Sequence, residues 1–254
     1  MDTRGRVVRL LRGNIAEWRA DAIATSANPY LEGTKRATHW KFAGRVNVDA
    51  AVRAAGGTEL EAAIARRSVQ RSLPIVTGSA LVTGSGGLLR SQWVVHSVAP
   101  VAQDYVEAHG QGLAVLQATF SAAIKGAAEA GATSVALPAY GTGVAGFSAE
   151  AAAQCAFAAA EAWLEDSKPS PLRRVDLVVW ADNVWACWAA SAGDGRALGR
   201  ASPIADDFGY TWTAGTADGG DGQEKGKNDA LAEAQAALFG GGDFLPGFGS
   251  LDVL

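Results

Sequence analysis

The sequence predicts an α/β fold in which helices cover both faces of a largely parallel β-sheet, followed by a Gly/Asp-rich C-terminal tail. Up to about residue 190, short apolar segments alternate with longer segments of helical periodicity. Two of the short segments, WVVHSV and VDLVVW, are almost wholly apolar, which is typical of strands buried on both faces. Because strands that alternate with helices form parallel sheets, we expect ligands at the carboxyl ends of the strands.

Six segments are predicted as strands, because each is short and apolar and turn residues separate it from the next element. In chain order they are Arg6–Leu11, Asp21–Ser26, Ser79–Thr83, Trp93–Val98, Ser134–Pro138 and Val175–Trp180.

Four segments are predicted as helices. They are Val48–Ala55, Glu59–Ser72, Gln111–Ala130 and Ser148–Glu165. The first carries Asp49 in its opening turn and stops at Gly56-Gly57, and the last has Ser148 as its N-cap.

The remaining sequence, residues 191–254, differs in composition from the rest. It holds ten acidic and four basic residues and 14 of the 31 glycines. We therefore predict a domain over residues 1–190 and a low-complexity acidic tail over 191–254, flexible or loosely docked. The tail contains more aromatic residues than an inert linker would need, so a segment docked on the domain and a peptide that binds a partner remain alternatives. These aromatic residues are Tyr210, Trp212, Phe239, Phe244 and Phe248.

Composition excludes several classes of protein. No run of about 18 apolar residues exists, so no membrane span is expected, and the N-terminus is too polar for a signal peptide. The net charge of −4 gives no reason to expect general nucleic-acid binding. Two cysteines, Cys155 and Cys187, lack C-x-x-C spacing, so we expect neither a disulfide framework nor a metal site. These features predict an intracellular protein, cytoplasmic or nuclear, with no cofactor.

The segment Ala139–Phe147 has the composition of an anion-binding loop. It lies between a predicted buried strand and a predicted helix, and it contains Gly141, Gly143 and Gly146. We expect positive φ angles at these glycines to turn backbone amides inward, beside the positive end of the helix dipole. Such a loop suits a phosphate or diphosphate, although a tight strand-to-helix turn would have a similar sequence.

A second polar segment runs from Thr25 to Asp49. Asn28 follows a predicted buried strand, and Asp49 opens the next helix. A carboxamide and a carboxylate at one cleft can hold a sugar hydroxyl and activate water. The alternative for Asp49 is an acid that only complements the helix dipole.

Together these segments resemble the macro domain family, which binds ADP-ribose, from about Val7 to Trp188. GNIAEWRADAIATSANPYL is similar to the family's GDIT…VDAIVNAAN, and VDAAVRAAGG to VDGAIHRAAGG. WVVHSVAP is similar to YVIHTVGP, and LPAYGTGVAGFSAEAAA to FPAISTGVYGFPxxxAA. The resemblance implies a three-layer α/β/α sandwich with a mixed, largely parallel sheet and ADP-ribose across the strand ends.

The resemblance also assigns roles to individual residues. Asn28 matches the asparagine at the distal ribose, and Asp49 matches the aspartate implicated in water activation. Asn14, next to Ile15, stands where the family has the acid that binds the adenine amino group. The remaining matches are the diphosphate loop (Gly141, Thr142, Gly143, Val144, Ala145, Gly146), the aromatic Phe147, the cleft residues Ala27 and Gly44, and Asp182 and Asn183 near adenine.

Several positions depart from the family pattern. Ala145 replaces the aromatic that stacks on the distal ribose, and Ala43-Gly44-Arg45-Val46-Asn47 replaces a run of glycines. There Arg45 would contact a phosphate and Asn47 a hydroxyl. The sequence also has about ten residues, roughly 32–41, that the family pattern lacks, and these include His39 and Trp40. Either side chain would add an acid or a stacking surface to the site; the alternative for His39 is an exposed loop residue. Asn14 replaces a carboxylate, so its amide would accept from adenine or, when flipped, donate to a carbonyl.

The sequence therefore predicts a hydrolase that removes a group from the distal ribose of an ADP-ribose derivative. The candidate substrates of this hydrolase are ADP-ribosyl esters, O-acetyl-ADP-ribose, and ADP-ribose 1″-phosphate or its cyclic relative. A non-catalytic ADP-ribose reader whose tail recruits partners is the alternative, and an unrelated phosphate-loop domain is a third. The oligomeric state stays open.

Overall fold

A computed structural model describes residues 5–33, 47–70, 73–193, 202–203 and 209–213. The described strands are β1 (Val7–Arg12), β2 (Ala22–Ser26), β3 (Ala80–Gly84), β4 (Trp93–Ser97), β5 (Ser134–Pro138), β6 (Arg174–Val179), β7 (Ser202–Pro203) and β8 (Gly209–Thr213). The described helices are α1 (Val48–Gln70), α2 (His109–Glu129), α3 (Ala149–Glu165) and α4 (Asp182–Gly193).

The strands form one mixed sheet in the order β3-β4-β2-β5-β6-β1-β8-β7. The central strands β4, β2, β5, β6 and β1 are parallel, whereas β3 and β8 pair antiparallel with their neighbours. All five carboxyl ends of the central strands therefore meet at one edge of the sheet. The predicted largely parallel sheet is confirmed.

The sheet lies between two helical layers. One core packs α2, α3 and α4 against one face, around the fully buried Phe120, Leu137, Leu177 and Trp188. The other core packs α1 against the opposite face, around Ile23, Val52, Leu60 and Val94. This is the three-layer α/β/α sandwich that the sequence predicts. No helix among the described residues is long and apolar enough to cross a membrane.

Two features of the helices differ from the prediction. The two helices predicted on either side of Gly56-Gly57 form one kinked element, α1, in which Gly57 has φ 56° and ψ −151°. Helix α4 has no counterpart in the prediction, because its small and aromatic residues (DNVWACWAASAG) give a weak helical pattern.

The sheet continues beyond residue 190. Strand β8 pairs antiparallel with β1, and Tyr210 packs against the core of α2, α3 and α4. Part of the predicted tail thus supplies strands at one edge of the sheet, beyond the boundary predicted at residue 190. The tail aromatics Phe239, Phe244 and Phe248 lie outside the described residues.

Candidate functional site

A large cleft opens at the carboxyl edge of the sheet. Its volume is about 970 Å³, near the upper end of the range for small-molecule sites. The loops after β1, β2, β4, β5 and β6 line it, together with the first turn of α1. Of the predicted site residues, the structure brings eleven to this cleft: Asn14, Ile15, Ala27, Asn28, Asn47, Asp49, Gly141, Thr142, Gly143, Val144 and Ala145.

The loop between β5 and α3 is shaped by two of its three glycines. Gly141 has φ +84° and Gly146 has φ +81°, whereas Gly143 has no positive φ, so the predicted positive φ at Gly143 is wrong. The loop is closed by a hydrogen bond from the Phe147 amide to the Gly141 carbonyl at 3.0 Å. Ser148 caps α3 by accepting from the Ala151 amide at 3.1 Å.

The same loop contains backbone amides that take no part in this closure. Four N–H groups of the loop have no hydrogen-bond acceptor among the described residues; they belong to Gly141, Gly143, Val144 and Ala145. They precede the N-terminus of α3, where the helix dipole favours negative charge. Unpaired amides beside a helix N-terminus are suited to bind phosphate oxygens.

Asp49 lies beneath the cleft in a buried polar cluster. The residue is 3% exposed. Its Oδ1 accepts from the Thr25 hydroxyl at 3.1 Å, and its Oδ2 accepts from Nε of Arg53 at 2.8 Å. Burial raises the pKa of the Asp49 carboxyl, while Arg53 and Thr25 act in the opposite direction. The position suits a carboxyl group that orients water or a hydroxyl, and the adjacent Arg53 favours its ionised form.

Asn28 organises the loop that follows β2. Its Oδ1 accepts from the amides of Tyr30 at 3.2 Å and Glu32 at 3.0 Å, and its Nδ2 donates to the Gly33 carbonyl at 2.9 Å. Leu31, within this loop, has φ 56°, a strained value for a residue with a side chain. The carboxamide thus holds the loop in shape, and its contact with a ribose remains a prediction.

Two further asparagines cap helical turns. Asn14 Oδ1 accepts from the Ala16 amide at 3.1 Å, and its Nδ2 donates to Glu17 Oε1 at 2.8 Å. Asn47 Oδ1 accepts from the Ala50 amide at 2.8 Å, at the start of α1. A flip of the Asn14 amide would break both of its hydrogen bonds, so its orientation is set by Glu17 and the cap.

The other predicted site residues lie elsewhere. Gly146 and Phe147 shape the glycine loop but do not line the cleft. Asp182 forms an ion pair with Arg12 at the start of α4, and neither Asp182 nor Asn183 lines the cleft. Gly44 and Arg45, and the insertion residues His39 and Trp40, lie outside the described residues.

The sequence reasoning missed several residues at or beneath the cleft. Trp180, which is 72% exposed, and Tyr30, Asp104 and Tyr105 line it. Trp180 ends the apolar segment VDLVVW, and this position at the carboxyl end of a predicted strand could have identified it as a cleft residue. Arg53 lies one helical turn after Asp49, a spacing that also suits an ordinary surface ion pair.

Comparisons with known proteins agree with this fold. The family model described as Macro domain matches residues 27–156. An uncharacterized Thermotoga maritima protein is 34% identical over 152 residues, which are 60% of this chain but only 23% of that protein. The O-acetyl-ADP-ribose deacetylase of Escherichia coli is 34% identical over 150 residues, 59% of this chain and 75% of the relative.

Solved structures share the architecture. An Oceanobacillus iheyensis macrodomain mutant, solved with ADPR, superposes with a TM-score of 0.60 over 75% of this chain and 94% of its own, at 20% identity. At this identity the likeness shows the fold alone. With the profile match over about half of its length and this sheet topology, the chain belongs to the macro domain family.

Proposed function

We propose that this protein binds ADP-ribose or a close derivative and hydrolyses a group from its distal ribose. One observation carries the proposal: four loop amides with no acceptor in the part of the chain that the structure describes, and a buried carboxylate, Asp49, belong to the same cleft. The amides suit a diphosphate, and the carboxylate suits the orientation of water.

The strand order gives the glycine loop two different flanks. The glycine loop follows β5, at the middle of the parallel strands. The ends of β6 and β1, with Trp180 and Ile15, lie on one side of it, and the ends of β2 and β4, with Asn28, lie on the other. A dinucleotide-like ligand with its diphosphate on the loop would place adenine near Trp180 and Ile15, and the distal ribose near Asn28 and Asp49.

In this arrangement the chain's groups have separate tasks. The loop amides donate hydrogen bonds to the diphosphate oxygens and so fix the ribose relative to Asp49. The Asp49 carboxylate orients a water molecule toward the bond to be broken. For an ester, the water oxygen bonds to the carbonyl carbon, the ester C–O bond breaks, and the products are a carboxylic acid and a free ribose hydroxyl.

The relatives support this reaction class. The E. coli protein that is 34% identical carries the name O-acetyl-ADP-ribose deacetylase. Sugar esters of acetate or of acidic side chains share the C–O bond described above. ADP-ribose 1″-phosphate and its cyclic relative remain substrates to be tested alongside them.

A non-catalytic reader of ADP-ribose is the second candidate. Both oxygens of Asp49 already accept hydrogen bonds from protein groups, which leaves fewer lone pairs for water. Ala145 also removes an aromatic surface for the distal ribose. A reader would use the same loop amides for binding and leave the distal group intact.

Product analysis separates the two candidates. The protein is incubated with O-acetyl-ADP-ribose, a glutamate ADP-ribosyl ester and ADP-ribose 1″-phosphate, and the products are resolved by mass spectrometry. A hydrolase releases ADP-ribose from at least one of them, and Asp49→Asn slows this by about 100-fold or more. Glu107→Gln, which changes an exposed acid that does not line the cleft, is the matched control. Binding of all three ligands without products would favour the reader.

A further inference from the structure

Arg53 uses all three guanidinium nitrogens inside the protein. Its side chain is 11% exposed. Nε donates to Asp49 Oδ2 at 2.8 Å, Nη1 to Glu61 Oε1 at 2.7 Å, and Nη2 to the Leu31 carbonyl at 2.6 Å. One side chain on α1 thus joins the buried carboxylate to the loop that carries Asn28.

The loop is built to approach this guanidinium closely. Gly33 has φ +66°, and a Cβ at that position would lie 3.0 Å from Nε of Arg53. The left-handed backbone and the missing side chain let the loop fold over the cation. The strained Leu31 presents its carbonyl to the same group. A structural ion pair of Asp49 and Arg53 alone would require neither feature.

A buried carboxylate without a cation would favour its protonated form. Besides Arg53, the groups among the described residues that act on the Asp49 carboxyl are the Thr25 hydroxyl from β2 and Glu61 from the second half of α1, whose negative charge raises the Asp49 pKa. Burial and the Arg53 charge together lower the pKa of His96 on β4 to about 3, so His96 is neutral. Among the described residues, Arg53 is therefore the cation that opposes the effect of burial and favours the ionised form of Asp49.

We propose that Arg53 is the positioning residue of this site, which orients Asp49 and couples it to loop 28–33. The inference rests on the proposed function. It assigns Arg53 no contact with substrate: it acts on the reaction only through the Asp49 carboxylate and through the Leu31 carbonyl. A lysine would supply the charge but not the planar fork that reaches both groups.

The test compares Arg53→Gln and Arg53→Lys with Arg66→Gln. Arg66 is exposed on the same helix and makes no hydrogen bond or ion pair among the described residues. For the ester that the wild type hydrolyses best, we expect Arg53→Gln to lower kcat at least about tenfold and to move the acid limb of its pH profile upward by about one unit or more. Arg53→Lys should return the acid limb toward its wild-type position, whereas its KM should exceed the wild-type KM because the Leu31 contact is lost. Arg66→Gln should match the wild type.

A second readout is independent of turnover. The pKa of the Asp49 carboxyl, followed by carbon-13 NMR, should rise by about one unit or more in Arg53→Gln and return toward the wild-type value in Arg53→Lys. An unchanged carboxyl pKa in a folded Arg53→Gln would overturn the inference whether or not the protein is an enzyme. A wild type that hydrolyses none of the substrates would refute only the proposed function, since the carboxyl titration would still decide the role of Arg53.

Discussion

Replacing Gly141 by alanine tests the shape of the glycine loop. Gly141 is buried with φ +84°, and a Cβ there would lie 3.1 Å from side-chain carbons of Leu116 and Phe147. The left-handed backbone costs a residue with a side chain about 1–2 kcal/mol. Crowding against the fully buried Leu116 adds about 1 kcal/mol or more. We therefore expect a loss of about 2–4 kcal/mol, or roughly 5–15 °C in melting temperature for a protein of this size.

Gly143→Ala is the matched control, because its Cβ would have no heavy atom within 4 Å and its φ is not positive. We expect its free energy of unfolding to lie within about 0.5 kcal/mol of the wild type, as is typical of surface changes, so its melting temperature should shift by no more than about 2 °C. Thermal unfolding by circular dichroism measures both variants. If Gly141→Ala melted with the wild type, or both variants were equally destabilised, the described loop geometry would be wrong.

Three further predictions concern other parts of the molecule. His96 is buried and neutral, with a pKa lowered to about 3 by burial; unfolding therefore takes up a proton below about pH 6.5, and stability should fall by about 1.4 kcal/mol per pH unit as pH drops from there. Urea unfolding at pH 7, 6 and 5 should show this dependence on pH in the wild type. In His96→Asn the dependence should be weaker by the amount that corresponds to one proton, and equal slopes in the two proteins would contradict the assignment. Arg6 donates to three carbonyls at the end of α3, so Arg6→Ala should cost about 2–3 kcal/mol in urea unfolding, and a cost below about 0.5 kcal/mol would refute this role. Asn14→Asp should lower the free energy of unfolding at pH 7 by about 0.5 kcal/mol through repulsion from Glu17, and a second change, Glu17→Gln, should remove that loss.

The parallel core of the sheet and the position of the cleft could be predicted because they depend on local signals. Apolar segments such as SVALP are readable as buried strands, and the glycines after it mark a loop at a strand's carboxyl end. The Gly56-Gly57 pair predicts a break in the helix, and in the structure Gly57 has a conformation that other residues avoid.

The hydrogen bonds of the asparagines could not be predicted from the sequence. Asparagine is favoured both at caps and turns and at ligand sites, since one carboxamide satisfies either kind of partner. Asn14, Asn28 and Asn47 were expected to meet the ligand, and the structure shows their side chains holding helical turns and a loop. Local sequence does not show whether a backbone group or a ligand lies nearer to the carboxamide.

The contacts of Arg53 and of β8 could not be predicted, because both are made with segments that are distant in the sequence. The Asp49–Arg53 spacing was visible, but only the packing of loop 28–33 over α1 makes it a buried contact. Strand β8 (GYTWT) does alternate aromatic residues with Thr, but it is short and lies in a Gly- and Asp-rich context. Its pairing with β1 supplies the hydrogen bonds that place it in the sheet.

Calorimetric titration of ADP-ribose into the wild type and Gly143→Glu tests the central claim most directly. The wild type should bind one ADP-ribose per chain. The glutamate should weaken binding by about 3 kcal/mol, on the order of a hundredfold, because it brings a negative charge to the amides assigned to the diphosphate. Absence of binding to the wild type, or equal affinity in a folded Gly143→Glu, would contradict the assignment of this cleft to ADP-ribose.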